Sequence, residues 1–152
     1  MLIRLAVFLV LNFGALAIGG LLMGEGPQSD WYEQLKKAPW TPPGWSFGVA
    51  WTIIMLCFSL YLAFLWPLAE NRPLLIGLYA LQWLLNVGWN PSFFYFHKAL
   101  IALVIIIGLT LLIGFFLYFY WSALKAKSLL VLPYLVWLII ATSLNGYIVF
   151  NN

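Results

Sequence analysis

Five uncharged apolar runs, at about 5–24, 45–66, 73–96, 99–121 and 129–150, take up nearly all of this 152-residue chain. Each meets the roughly 20 residues that a helix needs to cross the hydrocarbon core of a bilayer. What lies between them is too short for a separate water-soluble catalytic domain. Only 7% of the residues are charged, against about 25% in a soluble domain, so lipid must be the solvent. The runs are continuously apolar and do not alternate in pieces of about ten residues, which disfavours a β-barrel. The expected fold class is all-α: an integral membrane bundle of five transmembrane helices, one domain over residues 1–152.

Net charge is +3, but the seven basic residues are scattered between the runs and form no continuous patch. Nucleic acid is therefore not an expected partner. Cys57 is the only cysteine and sits mid-run, so it forms no intrachain disulfide. His97 is also alone, beside Lys98 in a short connection, and a solitary histidine is a poor metal ligand; no metal is expected. The first run carries Arg4 and Ala15-Leu16-Ala17, loosely like a signal-peptide cleavage site. It continues unbroken to Gly24, longer than a signal core of about 7–15 residues, and reads as a retained helix. Lys and Arg on alternate sides of the spans number four (Arg4, Arg72, Lys125, Lys127) against three (Lys36, Lys37, Lys98). That tally leans toward a cytoplasmic N-terminus.

The one long connection runs from Glu25 to Trp45. Ser29 or Asp30 can cap a short helix over Trp31 to Lys37, which Pro39 would stop. Trp31, Tyr32 and Trp40 make this loop sticky enough to fold back as a lid, with Asp30, Glu33, Lys36 and Lys37 left in water. Pro42-Pro43 then forms a stiff lead-in to a helix starting near Trp45, because proline is tolerated only in the first helical turn. Tryptophans at this level suit the membrane–water boundary, where an apolar ring with one N–H donor is at home.

Polar side chains within spans are costly in lipid and face the bundle interior. Gln82, Asn86 and Asn90 recur every four residues, with Trp89 and Phe93 beside them and Pro91 expected to bend the helix. Such amides serve either as interhelical bonds or as the lining of a cavity. Tyr134, Trp137, Ala141, Leu144 and Asn145 form a second stripe, on which Ala141 leaves space among large neighbours. Phe47, Trp51, Met55 and Phe58 form an aromatic face on the second span. Small residues four apart (Ala15 and Gly19, Gly20 and Gly24, Gly44 and Gly48) permit close helix approach. No acid pair, Ser–His–Asp arrangement, metal-ligand cluster or phosphate loop appears, and no charge lies in mid-span.

These motifs resemble the TspO/MBR family, which comprises the tryptophan-rich sensory proteins of bacteria and the mitochondrial translocator protein, once called the peripheral benzodiazepine receptor. The resemblance covers essentially the whole chain. It rests on Trp31-Tyr32-Glu33, Pro39-Trp40-Thr41-Pro42-Pro43, Phe47 with Trp51, Asn86 with Trp89, Pro91 and Phe93-Phe94, and Pro133-Tyr134 through Trp137 to Ala141-Thr142 and Leu144-Asn145.

The resemblance implies a five-helix bundle, commonly a homodimer, that binds porphyrins such as protoporphyrin IX under its first loop. No obligatory cofactor is implied. Positions matching the family's pocket pattern are Tyr32, Trp51, Asn86, Trp89, Trp137 and Ala141. Adding the neighbouring rim and stripe residues gives an expected ligand-binding set that also includes Trp40, Pro42, Pro43, Phe47 and Asn90. Some bacterial relatives are implicated in light-dependent porphyrin breakdown, which makes Trp51 and Trp137 the candidates for any catalytic role. A transporter of tetrapyrroles or sterol-like lipids is the other alternative. Tyr147 is followed by Ile148-Val149-Phe150-Asn151-Asn152 with no cation, a departure from the mammalian sterol-recognition pattern that weakens the case for sterol binding. A bacterial cell membrane is expected over a mitochondrial outer membrane.

Overall fold

The computed structural model describes all 152 residues. Five long helices carry the fold: α1 (Leu2–Leu22), α3 (Gly44–Leu65), α4 (Arg72–Asn90), α5 (Ala99–Phe119) and α7 (Leu132–Asn151). Two short ones, α2 (Asp30–Gln34) and α6 (Trp121–Leu124), sit in connections, and there is no strand. α1 packs between α3 and α4, α4 packs on α5, α5 on α7, and α7 returns to α3. The long helices thus close a ring in the order α1, α3, α7, α5, α4.

Four helical segments are long and apolar enough to cross a membrane: Leu2–Gln28, Gly44–Leu65, Ala99–Phe119 and Trp121–Asn151. The five-helix membrane bundle expected from the sequence is present, and α4 is the least apolar of its long helices because it carries Arg72, Gln82, Asn86 and Asn90. Gln82 and Asn86 are buried, Gln82 bonding Tyr134 of α7, and Asn90 lies against Gly19 of α1, so the helix is held by packing where its own apolarity falls short.

The local chemistry explains where elements begin and end. Ser29 caps α2, its hydroxyl oxygen accepting from the Tyr32 N–H at 3.3 Å. α2 stops at Gln34, short of the expected Lys37, because Leu35 is extended (φ −67°, ψ 142°) and the next residue bonds elsewhere. The Lys36 N–H donates to Asn152 Oδ1 at 2.8 Å and the Lys36 carbonyl accepts from Asn152 Nδ2 at 3.2 Å. Pro43 is the N-cap of α3, and the Asn71 side chain caps α4 by accepting from the Leu74 N–H at 3.0 Å. At Pro91 the helix does not simply bend. It widens into a π-helical turn over Pro91–Tyr95, closed by the Phe96 N–H donating to the Pro91 carbonyl at 2.9 Å.

The core centres on Phe58, fully buried, with ring centroids 5.3 Å from Tyr134, 5.9 Å from Phe116 and 6.0 Å from Tyr61. Polar bonds tie the helices within this apolar medium. Asn12 Nδ2 donates to Ser59 Oγ at 2.9 Å while Tyr79 donates to Asn12 Oδ1 at 2.7 Å, joining α1, α3 and α4. Gln82 Nε2 donates to the Tyr134 hydroxyl at 2.8 Å, joining α4 to α7. Such bonds contribute about 0.6 kcal/mol each on average, so they set register more than they set stability.

Of the small-residue pairs, Ala15 and Gly19 are the one buried between helices. A Cβ on Gly19 would lie 2.6 Å from Asn90 Nδ2, whereas Gly20, Gly44 and Gly48 have open space. Gly19→Leu is therefore expected to destabilise the bundle by about 1–3 kcal/mol through overpacking. Gly20→Leu serves as the control, and an unfolding titration in detergent micelles that finds the two variants equally stable would refute the close approach.

Candidate functional site

A cavity of about 40 Å³ lies inside the ring. Phe47 and Trp51 come from α3, Asn86 and Trp89 from α4, Ile106 and Leu109 from α5, and Trp137, Leu138 and Ala141 from α7. Each follows from helical spacing: Phe47 and Trp51 are four apart, as are Trp137 and Ala141, and Asn86 and Trp89 are three apart. The aromatic walls brace one another. Phe47 meets Trp137 edge-on at 5.1 Å, and Trp51 meets Tyr134 at 5.9 Å.

Asn86 is the one polar side chain in the lining. It is 6% exposed and makes no hydrogen bond within the protein, so both its donor and acceptor stay available to whatever enters. Trp89 is held differently. Its indole Nε1 donates to Asn145 Oδ1 at 3.1 Å, and Asn145 Nδ2 in turn donates to the Ala99 carbonyl at 2.9 Å. The Trp89 ring also stacks on Phe93, 5.3 Å away and inclined by 13°.

Phe93 belongs to a second apolar cluster beneath the first loop. Trp31 lies edge-on to Phe93 at 5.5 Å and stacks on His97 at 4.2 Å and 14°. Tyr32 packs against Phe94 at 5.4 Å and Phe93 at 6.2 Å. The loop is pinned further along by Trp40, whose Nε1 donates to Ser143 Oγ at 3.1 Å and whose ring meets Tyr147 at 5.5 Å. Burial raises the Tyr32 phenol above its usual range, so it remains a neutral hydroxyl near pH 7. Lys37 is half-buried and not left in water as expected, because its Nζ sits 4.6 Å from the Tyr32 ring centre.

The model that describes the TspO/MBR family matches residues 6–150. The chain belongs to the TspO/MBR family. It is 34% identical to the tryptophan-rich protein TspO of Chlorobaculum tepidum over 135 residues, which cover 86% of this chain and 85% of that protein. Protein CrtK of Rhodobacter capsulatus is 34% identical over 118 residues, covering 76% and 74%. The translocator protein of Homo sapiens is 32% identical over 129 residues, covering 80% and 73%. Family membership and the apolar helices together make this an integral membrane protein.

In this TspO/MBR protein, Phe47, Trp51, Asn86, Trp89, Trp137 and Ala141 converge on the cavity. Tyr32, Trp40, Pro42 and Pro43 do not line it; Tyr32 stands one ring further out, behind Phe93. Asn90 is displaced for a different reason. Four residues advance a helix by about 400°, so a spacing of four drifts by about 40° each time. From Gln82 to Asn90 that drift turns the stripe from α7 toward α1, where Asn90 meets Gly19. Ile106, Leu109 and Leu138 were not anticipated. The fourth run is apolar on every face, so it carries no stripe that could mark its inward side.

Volume sets what the TspO/MBR cavity can admit. About 40 Å³ has room for a few water molecules, whereas pockets for drug-sized ligands span roughly 300–1,000 Å³. At that volume the cavity is too small for a drug-sized ligand with its aromatic walls as they stand.

Proposed function

We propose that this protein is a membrane receptor for a flat apolar ligand with a polar edge, of which protoporphyrin IX is the working example. The ligand parts the indoles of Trp51 and Trp137 and lies between α3, α5 and α7. Burial of its faces supplies the binding energy, at roughly 25 cal/mol per Å² of apolar surface. Asn86 supplies orientation, and its unpartnered amide in an otherwise apolar lining is the observation that carries this reading. The first loop closes above it as a lid. A homodimer belongs to the same reading, as does a bacterial cell membrane, the latter supported by kinship with bacterial proteins such as those of Chlorobaculum tepidum and Rhodobacter capsulatus.

The test is a titration of protoporphyrin IX against tryptophan fluorescence, in nanodiscs and in darkness. Asn86→Leu is expected to weaken binding about fivefold, the equivalent of one net hydrogen bond of about 1 kcal/mol. An unchanged Kd would remove Asn86 from the site. A second reading, light-dependent porphyrin breakdown, draws support from the two indoles facing one cavity. Loss of the porphyrin absorption band under illumination, abolished by Trp51→Phe with Trp137→Phe, would favour it. Porphyrin flux into sealed vesicles would instead favour a transporter.

A further inference from the structure

A void larger than the cavity described above remains unassigned. It lies at the opposite end of the bundle, where the connection from α3 to α4 faces the junction of α5 and α6, and it measures about 330 Å³. That volume falls at the lower edge of the range for small-molecule sites. Its walls are of two kinds. Leu68 and Phe119 are apolar and about half exposed, while Glu70, Asn71 and Ser122 are polar.

The electrostatics favour a cation. The Glu70 carboxylate forms no ion pair, although four basic side chains occur at this end, of which Arg4, on α1, does not line the void. The Arg72 guanidinium is drawn over the Trp66 ring at 5.9 Å and Lys127 Nζ over Phe64 at 4.2 Å. Lys125 lies beyond α6 and does not line the void. α5 ends at Phe119, so the negative end of its dipole faces the same space. The competing positive end of α4 is offset, because Asn71 Oδ1 already accepts from the Leu74 N–H. Exposed Phe119, Trp121 and Leu68 mark this level as the membrane–water boundary.

We infer that this void binds a primary ammonium group on an apolar stem, with Glu70 as its counter-ion and the Ser122 hydroxyl as a further acceptor. The ammonium has two possible sources, an ethanolamine lipid headgroup or a free alkylamine. A headgroup fits the surroundings, since its phosphate would project out of the void toward the end of the bundle that carries Arg72, Lys125 and Lys127. A choline headgroup has no N–H to donate and serves as the discriminating control.

The experiment uses the full chain in mixed micelles holding equal amounts of phosphatidylethanolamine and phosphatidylcholine with identical acyl chains. Native mass spectrometry counts the retained lipid, and a parallel thermal melt is run with millimolar hexylamine. For a lipid source, retention of the ethanolamine lipid is expected to exceed that of the choline lipid about fivefold, the scale of a partly solvated ion pair. For a free amine, lipid retention is even, but hexylamine raises the melting temperature. In either case Glu70→Gln abolishes the effect. Ala123→Trp, which fills the void from α6 without touching the charge, does the same. Glu70 is exposed and unpaired, so its variant is expected to melt with the wild type. Even lipid retention without amine stabilisation, or a preference that survives both variants, overturns the inference.

Discussion

Ala141→Phe is expected to weaken protoporphyrin IX binding about a hundredfold or more, roughly 2.7 kcal/mol, while the bundle stays folded. Ala141 is the small residue on the α7 wall, facing α5 across a cavity of about 40 Å³. A benzyl group outgrows that space and occupies the volume a ligand would open. Overpacking costs about 1–3 kcal/mol where Ala141 packs against the edge of the main core, and the adjoining cavity takes up part of the added ring. Fluorescence titration gives the affinity and a circular-dichroism melt gives the fold. A well-folded variant with wild-type affinity would place the ligand elsewhere.

Removing Trp31 to Lys36 is expected to raise the porphyrin dissociation rate roughly thirtyfold, about 2 kcal/mol. The segment contributes the Trp31 stack on His97, the Tyr32 contacts with Phe93 and Phe94, and the pair of bonds between Lys36 and Asn152. None of these holds the five long helices together. The melting temperature is therefore expected to fall by only a few degrees, since about 1 kcal/mol shifts a chain of this size by roughly 2–4 °C. Stopped-flow dissociation that is equally fast with and without the segment would reduce it to a plain connector.

The long helices were legible because an uncharged apolar run in lipid has almost no alternative to helix. Aromatic residues and amides on one face likewise marked the inward sides of α3, α4 and α7. What escaped was set by rotation and by distant partners. Asn90 continued a spacing of four yet turned toward Gly19, because 3.6 residues per turn does not divide into four. Asn12 passed unnoticed inside the first run, although a lone amide in an apolar span signals a partner; it bonds Ser59 and Tyr79. The early end of α2 depends on Asn152, 116 positions away from Lys36. No local pattern encodes a contact of that kind.

Trp89 lines the cavity and also stacks on Phe93, in the cluster that seats the first loop. A single rigid ring with one indole bond, to Asn145, cannot serve the two sides independently. Thermodynamic reciprocity then applies across it. Whatever factor an occupant of the cavity adds to closure of the loop, closure of the loop must add to the occupant's affinity. Loop closure measured with the cavity filled, and affinity measured with the loop held shut, should therefore return the same coupling free energy.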